Sequence, residues 1–308
     1  MQNISISRAK TFHNCHLLYN YKYVNKFIPV TTTPIWVTLK GSVLHETFER
    51  LLKYENYKGE VPALSYRKAN EDTIEEIFQN VLKENNFPIE KVEEFNLRKG
   101  INRWLSFKHD FLDKKNHILY SEKEYNENLF GETNTIAILD LMEDLGNNNY
   151  IIYDYKTPKS IDISRYKAQL VLYAYVIARV KGIIKDEKDE DYQKVIDHFK
   201  LKVFFPLADK INDDYKNLLK EVNYTSRDVK ETIDFLKNTV KEIDNFDFSK
   251  SAEVLQTSSP GINCKWCEFA GSSPDTLLVS ENGYKFQGCP ITKFCGMKAI
   301  SEKFQTKN

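Results

Sequence analysis

Long apolar runs are absent from this sequence. It contains no stretch of about 18 consecutive apolar residues, so no membrane-spanning helix is expected. The opening residues MQNISISRAKTFHNC lack the apolar core of a secretory signal, and a cytoplasmic protein is therefore expected. Net charge is also absent, because 44 basic residues balance 44 acidic ones. A polyanionic partner must then be bound by locally clustered Lys and Arg rather than by the overall field.

Cysteine is scarce, with five residues in 308. An odd number of cysteines in a reducing compartment argues against a disulfide framework and leaves metal ligation or free thiols. Cys264 and Cys267 are separated by two residues, a spacing that presents two thiolates to one metal. Cys289 and Cys295 follow them, and Cys15 lies far upstream.

The first part of the chain has mostly helical periodicity. A Ser-capped helix is predicted from Ser7 to Tyr23, and a second helix from Thr38 to Tyr54, with His45 and Glu49 four residues apart on one side. Between them, TTTPIWV at 31–37 is predicted to be a loop. Most of 70–115 is also predicted to be helical.

After residue 115 the spacing of the apolar residues changes from that of helices to that of strands. HILYSEKEYNENLF, TIAILDLMEDL and YIIYDYKT predict three strands that meet at turns, and GNNN at 146–149 predicts a hairpin turn between the last two. ISRYKAQLVLYAYVIARVKG predicts a helix behind the sheet, and LKVFFPL at 201–207 another strand. Residues 210–245 are predicted to form one or two amphipathic helices, and no internal repeat is visible. This order indicates an α/β or α+β core with helical additions.

Acidic residues follow two of these strands. Asp140 is predicted to end the strand TIAILD, and Asp154 the strand YIIYD. If GNNN pairs the strands, the two carboxylates lie close together at one end of the sheet, where a divalent cation such as Mg²⁺ relieves their repulsion. Lys156 is two residues from Asp154 and projects from the same face of its strand. The pair is either a surface ion pair or an acid and a base presented to a substrate.

Three other segments of the chain accompany this pattern. They are SRAKTFHNC at the start, GSVLHETFERLL with a Gly-x-x-x-His spacing, and ISRYKAQLVLYAYV with a Gln-x-x-x-Tyr spacing. Together with Asp140 and Asp154-Tyr155-Lys156, they resemble the PD-(D/E)XK nuclease superfamily. Within it they are similar to the RecB-like branch that carries a cysteine-ligated iron–sulfur cluster, which includes CRISPR-associated RecB-like and AddB-like exonucleases and phage-encoded members.

The resemblance implies an α/β, restriction-endonuclease-like core, with a central mixed β-sheet flanked by helices. It implies a single RecB-like nuclease domain over 1–308, with a helical segment at 38–115 as an N-terminal insertion and the catalytic sheet and helix at 116–207. Residues 1–25 and 260–308 would form a cysteine-bound cap that joins the two termini.

The resemblance also assigns roles to residues. His45, Asp140, Asp154 and the carbonyl of Tyr155 would hold Mg²⁺ or Mn²⁺. Asp140, Asp154 and Lys156 would be catalytic, while Gln169 and Tyr173 would support the site or the DNA backbone. The preceding strand contributes an acidic residue in many members, and here Glu124 and Glu122 are equal candidates.

Two alternative metal sites are possible for the cysteines. The resemblance implies a [4Fe–4S] cluster held by Cys15, Cys264, Cys267 and either Cys289 or Cys295. The alternative is a structural Zn²⁺ site formed by the last four cysteines, with Cys15 as a buried thiol. Unligated core cysteines are a third interpretation. The 21 residues between Cys267 and Cys289 depart from the family spacing and leave the fourth cluster ligand open.

The function implied is metal-dependent hydrolysis of DNA, by an exonuclease acting on ends or single strands in recombination, repair or replication. Lys159, Arg165 and Lys167 are candidates for phosphate contacts, or the solvated face of a helix. Aromatic residues near the start are candidates for base stacking or core packing; they are Tyr23, Phe27 and Trp36. The alternatives are a non-catalytic DNA-binding or assembly subunit with the same fold, and a zinc-stabilised interaction protein.

Overall fold

The computed structural model describes residues 3–27, 35–54, 69–87, 91–112, 118–131, 133–186, 188–209 and 215–250, together with 255, 267, 269, 277–279 and 285–287. The chain divides into two compact units. Unit 1 comprises Met1–Asn3 and Trp36–Phe235, and unit 2 comprises Ile4–Ile35 and Leu236–Asn308. The expectation of one nuclease domain over the whole chain stays a prediction.

Eight α-helices lie within the described residues. They are α1 (Ile6–Asn14), α2 (His16–Tyr19), α3 (Ile35–Tyr54), α4 (Glu71–Glu84), α5 (Lys91–Phe107), α6 (Ser164–Val180), α7 (Asp189–His198) and α8 (Ser226–Asp244). Two π-helical turns, Asn20–Val24 and Lys108–Leu112, and one 3-10 turn, Tyr215–Asn217, accompany them. Among the described residues, no helix has both the length and the apolar character needed to cross a membrane.

Six strands form one sheet and two form a hairpin. They are β1 (Asn3–Ile4), β2 (Ile118–Phe130), β3 (Thr133–Gly146), β4 (Asn149–Tyr155), β5 (Phe199–Phe204), β6 (Leu219–Glu221), β7 (Leu277–Val279) and β8 (Lys285–Gln287). The large sheet has the order β1-β3-β4-β5-β6, with β2 also paired to β3, while β7 and β8 pair with each other. β4 and β5 are parallel, whereas β2–β3, β3–β4 and β5–β6 are antiparallel. The sheet is therefore mixed.

Helices cover both faces of this sheet. On one face, Phe48 of α3 contacts the Tyr155 ring edge-on at 5.3 Å, and Phe107 of α5 contacts Tyr153 at 5.5 Å. On the other face, α6 packs against β2, β3, β4 and β5. The predicted α/β architecture, a central mixed sheet flanked by helices, is confirmed.

The β3–β4 turn forms where the sequence predicted it. Asn147 and Asn148 have φ values of 53° and 61°, the left-handed region that a tight two-residue hairpin turn requires. Asn tolerates this region better than other non-glycine residues. The turn sets the register in which Leu141 pairs with Tyr153.

Several predicted boundaries are wrong. Residues 35–37 are helical rather than a loop, because a proline disfavours helix in the residues before it and a helix can begin directly after it. The rest of TTTPIWV lies outside the described residues. Asp140 does not end a strand, since β3 continues to Gly146. Residues 215–221 contain a 3-10 turn and β6 instead of a helix, and α7 was not predicted.

In unit 2 the predicted helix from Ser7 to Tyr23 is interrupted at Cys15. Ser5 caps α1 by accepting a hydrogen bond from the Arg8 amide at 3.3 Å. Cys15 has an extended backbone (φ −163°, ψ 105°), and its Sγ accepts a hydrogen bond from the Leu18 amide at 3.4 Å. Cys15 therefore ends α1 and caps α2.

Candidate active site

The candidate site lies in unit 1, where β3 and β4 meet the middle of α3. The antiparallel register pairs Leu141 with Tyr153, so Asp140 lies beside Asp154 on the neighbouring strand. Ladder pairing between the strands stops there, and the Asp140 Oδ2 accepts a hydrogen bond from the Tyr155 amide at 2.5 Å. The two carboxylates are thus adjacent, as the sequence predicted, although one of them lies in the interior of its strand.

His45 on α3 joins this pair. Its Nδ1 lies 3.1 Å from Asp140 Oδ1, and its Nε2 lies 2.9 Å from the Tyr155 carbonyl oxygen. Burial lowers the pKa of His45, but the charge of Asp140 and the hydrogen bond to it outweigh burial, so the pKa is raised above 6.5. Both ring nitrogens face acceptors, which is the arrangement of an imidazolium donating two hydrogen bonds.

Glu122 is the fourth residue of the site. Ser121 pairs with Leu141 and Lys123 with Leu139, so Glu122 lies opposite Asp140 on β2. Its φ of 48° is an unusual backbone angle within a strand and costs about 1–3 kcal/mol. Glu124, the other candidate of the sequence, lies two residues further along the strand and is exposed.

His45, Glu122 and Asp140 each offer one ligand atom, and these atoms lie within 4.8 Å of one another. Nitrogen and carboxylate oxygen atoms at such separations suit a divalent cation. Burial, followed by the charge of Asp140, raises the pKa of Glu122 to about 7. A bound cation would oppose both causes, because it favours the charged form of a buried carboxyl and offsets the charge of Asp140.

Asp154 and Lys156 form a buried ion pair next to this group. The Lys156 Nζ lies 2.9 Å from Asp154 Oδ1 and 2.8 Å from Oδ2, and their side chains are 19% and 4% exposed. This burial rules out a surface ion pair. Burial and the charge of Asp140 raise the pKa of Asp154, although Lys156 opposes them. Burial lowers the pKa of Lys156, but Asp154 and Asp140 together raise it above 10.5, so the ammonium stays charged.

α6 contributes three polar aromatic or amide groups to the same side of the sheet. Gln169 Nε2 donates a hydrogen bond to the Tyr173 hydroxyl oxygen at 2.6 Å. Burial is the main cause that raises the pKa of Tyr173, and the charges of Asp154 and Asp140 add to it. The ring of Tyr166 lies 5.2 Å from the Lys156 ammonium.

Tyr166 was not identified from the sequence. Its position three residues before Gln169 placed it on the same helical face, which is the signal that could have found it. Glu122 was one of two equal candidates in the sequence. The observed register decides between them, because it places Glu122 and Asp140 opposite each other, nine residues on either side of Gly131.

The other residues considered for DNA contact have less specific surroundings. Lys159, Arg165 and Lys167 pair with Asp209, Asp162 and Asp228 at 3.4, 2.9 and 2.6 Å. Phe27 is buried in a core cluster, which confirms core packing there. Tyr23 is half-buried, and the Trp36 side chain lies outside the described residues.

Two of the five cysteines, Cys15 and Cys267, lie within the described residues, and neither forms a disulfide there. Cys15 and Cys267 pack against one apolar cluster of unit 2, formed by Leu17, Tyr21, Phe27, Leu255 and Phe269. The two thiols are 252 residues apart in sequence and share this cluster. Cys264, Cys289 and Cys295 lie outside the described residues.

The model of the PD-(D/E)XK nuclease superfamily matches residues 3–272. The chain belongs to the PD-(D/E)XK nuclease superfamily. The match includes all the residues of the candidate site, from His45 to Tyr173, and it ends before Cys289 and Cys295. No curated protein is significantly similar to the chain.

One solved structure is similar over most of both chains. It is titled "Crystal structure of SSO0001", and the match covers 79% of this chain and 98% of that one, at 17% sequence identity and a TM-score of 0.31. A TM-score this low supports no conclusion about this PD-(D/E)XK protein.

Proposed function

We propose that this PD-(D/E)XK protein is a Mg²⁺- or Mn²⁺-dependent deoxyribonuclease. The observation that carries the proposal is the convergence of His45, Glu122 and Asp140 within 4.8 Å, beside the buried pair of Asp154 and Lys156. A metal-binding group next to a charged lysine is the arrangement that phosphodiester hydrolysis needs.

His45, Glu122 and Asp140 would hold the cation, with Asp154 and the Tyr155 carbonyl beside them. The donor set fits a divalent ion, because three carboxylates face one lasting cation, Lys156, once His45 has given up its proton to bind the metal. When bound, the ion supplies Lewis-acid activation of water and offsets negative charge on the phosphate.

Lys156 acts as a charge stabiliser rather than as a base. Its ammonium is held in place by Asp154, and its raised pKa keeps it protonated at neutral pH. A fixed positive charge beside the scissile phosphate stabilises the charge that develops during hydrolysis.

The Tyr173 hydroxyl accepts a hydrogen bond from Gln169 and keeps its own proton, because its pKa is raised. The hydroxyl therefore has a hydrogen to donate towards the substrate or a bound water. We assign Gln169 and Tyr173 to positioning in this way.

The deciding experiment compares wild type with Lys156→Ala on end-labelled linear DNA and on closed circles, single- and double-stranded, with Mg²⁺ or Mn²⁺ and with EDTA. Cleavage that requires the metal and is lost in Lys156→Ala supports the proposal, and sparing of circles supports an exonuclease. Lys123→Ala, an exposed lysine on β2, is the matched control and should cleave normally. If folded wild type cuts nothing, a non-catalytic DNA-binding subunit becomes the better account. If Lys156→Ala cuts equally well, the cleavage does not come from this site and the proposed catalytic role fails.

The proposal extends to the RecB-like branch and a [4Fe–4S] cluster. Its support is that Cys15 and Cys267 share one apolar cluster and that the Cys15 sulfur accepts an amide hydrogen bond, as cluster thiolates commonly do. Cluster thiolates persist in reducing compartments, so we also propose a cytoplasmic location. A role in recombination, repair or replication belongs to the same proposal.

Metal analysis of anaerobically purified protein tests the cluster. Iron and labile sulfide in equal amounts are expected, whereas zinc without iron would favour the structural zinc site. Cys15→Ser should lower the iron content if a cluster is present and leave zinc unchanged if the last four cysteines bind zinc. Cys289→Ser and Cys295→Ser, made separately, should show which residue is the fourth ligand.

A further inference from the structure

The charges of this chain are unevenly distributed. Over the whole sequence 44 basic residues balance 44 acidic ones, yet no Asp or Glu precedes Glu46. The same 45 residues contain Arg8, Lys10, Lys22 and Lys26, in addition to Lys40. The first four belong to the N-terminal segment of unit 2, so this segment carries positive charge in a chain that is neutral overall.

The π-helical turn Asn20–Val24 directs part of this charge outwards. The Asn25 amide donates to the Asn20 carbonyl at 2.8 Å, and the Phe27 amide donates to the Tyr21 carbonyl at 2.8 Å. Lys26 between them has a φ of 49°. As a result Tyr21 and Phe27 are buried, whereas Lys22 and Lys26 are exposed. π-Helical turns occur frequently at functional sites.

Tyr23 brings a second helix into this arrangement. The Arg8 guanidinium of α1 lies 4.8 Å from the centre of the Tyr23 ring, and the Lys22 ammonium lies 5.9 Å from it. Tyr23 itself is half-buried. An aromatic face attracts both cations, so it holds two positive groups from different helices near each other at the surface.

We propose that Arg8, Lys22 and Lys26, with Tyr23 between the first two, form a basic surface that binds the phosphate backbone of DNA. The inference rests on the proposed function, which makes DNA the substrate, and it adds a contact region in unit 2. Charge complementarity identifies the partner, because a guanidinium and two ammonium groups on a segment without acidic residues attract a chain of phosphates.

The test measures binding in the Lys156→Ala background with EDTA, so that no DNA is cleaved. A fluorescein-labelled single-stranded oligonucleotide is titrated at several salt concentrations with this protein and with a version that also carries Arg8→Gln and Lys22→Gln. Each phosphate contact contributes about 0.7 to the slope of log affinity against log salt for single strands. The double change should make the slope shallower by about 1.4 and weaken affinity by ~25-fold at 0.1 M salt.

The matched control carries Lys185→Gln and Lys188→Gln, two exposed lysines in unit 1, and should keep the parent slope and affinity. Tyr23→Leu should weaken binding, and Tyr23→Phe should retain it, because the ring and not the hydroxyl holds the cations. Circular dichroism and metal content must match the parent protein for all variants. A basic-surface variant with unchanged slope and affinity overturns the proposal, as does a control variant that loses as much as the basic-surface variant.

A small substrate separates this inference from the proposed function. Thymidine 5′-p-nitrophenyl phosphate fits the chemical site alone, so Arg8→Gln/Lys22→Gln with Lys156 intact should hydrolyse it at the wild-type rate with Mn²⁺. If wild type fails to hydrolyse both this compound and DNA while the salt slope still changes, the nuclease proposal fails and the basic surface stands. If hydrolysis is normal and the slope is unchanged, the basic surface fails alone.

Discussion

Replacement of Glu122 by Gln should stabilise the metal-free protein and weaken metal binding at the same time. In the unfolded chain this carboxyl loses its proton near its ordinary pKa of 4.5, whereas in the folded chain the pKa is about 7. The folded protein thus binds the proton more tightly than the unfolded chain does. The stability that Glu122 contributes is present below pH 4.5 and is lost as the pH rises to 7.

The size of the effect follows from these two values. A pKa difference between about 7 and 4.5 corresponds to ~3 kcal/mol once the pH is above both values. Glu122 is partly exposed, so solvent screening reduces this to about 2 kcal/mol. In EDTA at pH 8, Glu122→Gln should therefore raise the free energy of unfolding by about 2 kcal/mol. At pH 5 the increase in the free energy of unfolding should be a small fraction of its value at pH 8, because Glu122 is protonated in the folded protein.

Urea denaturation at pH 5 and pH 8, with EDTA or with saturating Mg²⁺, measures this effect. A ligand at one hundred times its Kd stabilises the folded state by about 2.7 kcal/mol, and a neutral amide binds the cation less tightly than a carboxylate. Mg²⁺ should therefore stabilise wild type more than Glu122→Gln and remove or reverse the difference between them. Glu124→Gln, at the exposed position two residues further along β2, is the control and should change neither quantity. The reasoning is refuted if Glu122→Gln destabilises the protein in EDTA at pH 8, or stabilises it equally at both pH values.

Two further predictions concern His45 and Tyr166. His45 is an imidazolium in the metal-free protein, so Mn²⁺ binding at pH 6.5 should release about one proton or more. Calorimetry in buffers of different ionisation enthalpy measures the number of protons released. A binding reaction that releases no proton would contradict the assignment of His45 as a ligand. Tyr166→Leu should lower kcat by roughly 2- to 30-fold, the equivalent of a cation–π contact to Lys156 of about 0.5–2 kcal/mol, with little change in KM. Tyr166→Phe keeps the ring and should stay near wild type, so equal rates for the two variants would exclude this role.

The elements of the fold that the sequence predicts are those determined by apolar periodicity and by turn residues. The strands β2, β3 and β4 have apolar periodicity, and Asn147 and Asn148 suit the left-handed backbone that their turn needs. The end of β3 was misplaced because a charged residue at position 140 looks like a strand end, whereas the strand continues and is paired on both sides. α7 has the polar sequence DEDYQKVIDH, in which Tyr192 and Val195 are the buried apolar residues, so its periodic signal is weak.

The sequence predicts the part of the candidate site that lies on one strand. It does not predict the part that depends on the register between strands. Asp154 and Lys156 share a face because they are two residues apart on one strand, and the sequence alone fixes that. The choice between Glu122 and Glu124 depends on the pairing of β2 with β3 and on a backbone angle that no local pattern specifies. The contact between Tyr166 and Lys156 depends on how α6 packs on the sheet, which is tertiary information.

Tyr155, the residue between Asp154 and Lys156, determines how the end of β4 is arranged. The Tyr155 side chain points to the opposite face, where it packs edge-on against Phe48 and is 2% exposed. Its amide lies beyond the last ladder pair with β3 and donates to Asp140, and its carbonyl accepts from His45. A buried ring thus fixes a backbone unit whose two polar groups orient two proposed metal ligands. Alternation along the strand places the carboxylate and the ammonium on the site face because the residue between them is anchored in the core.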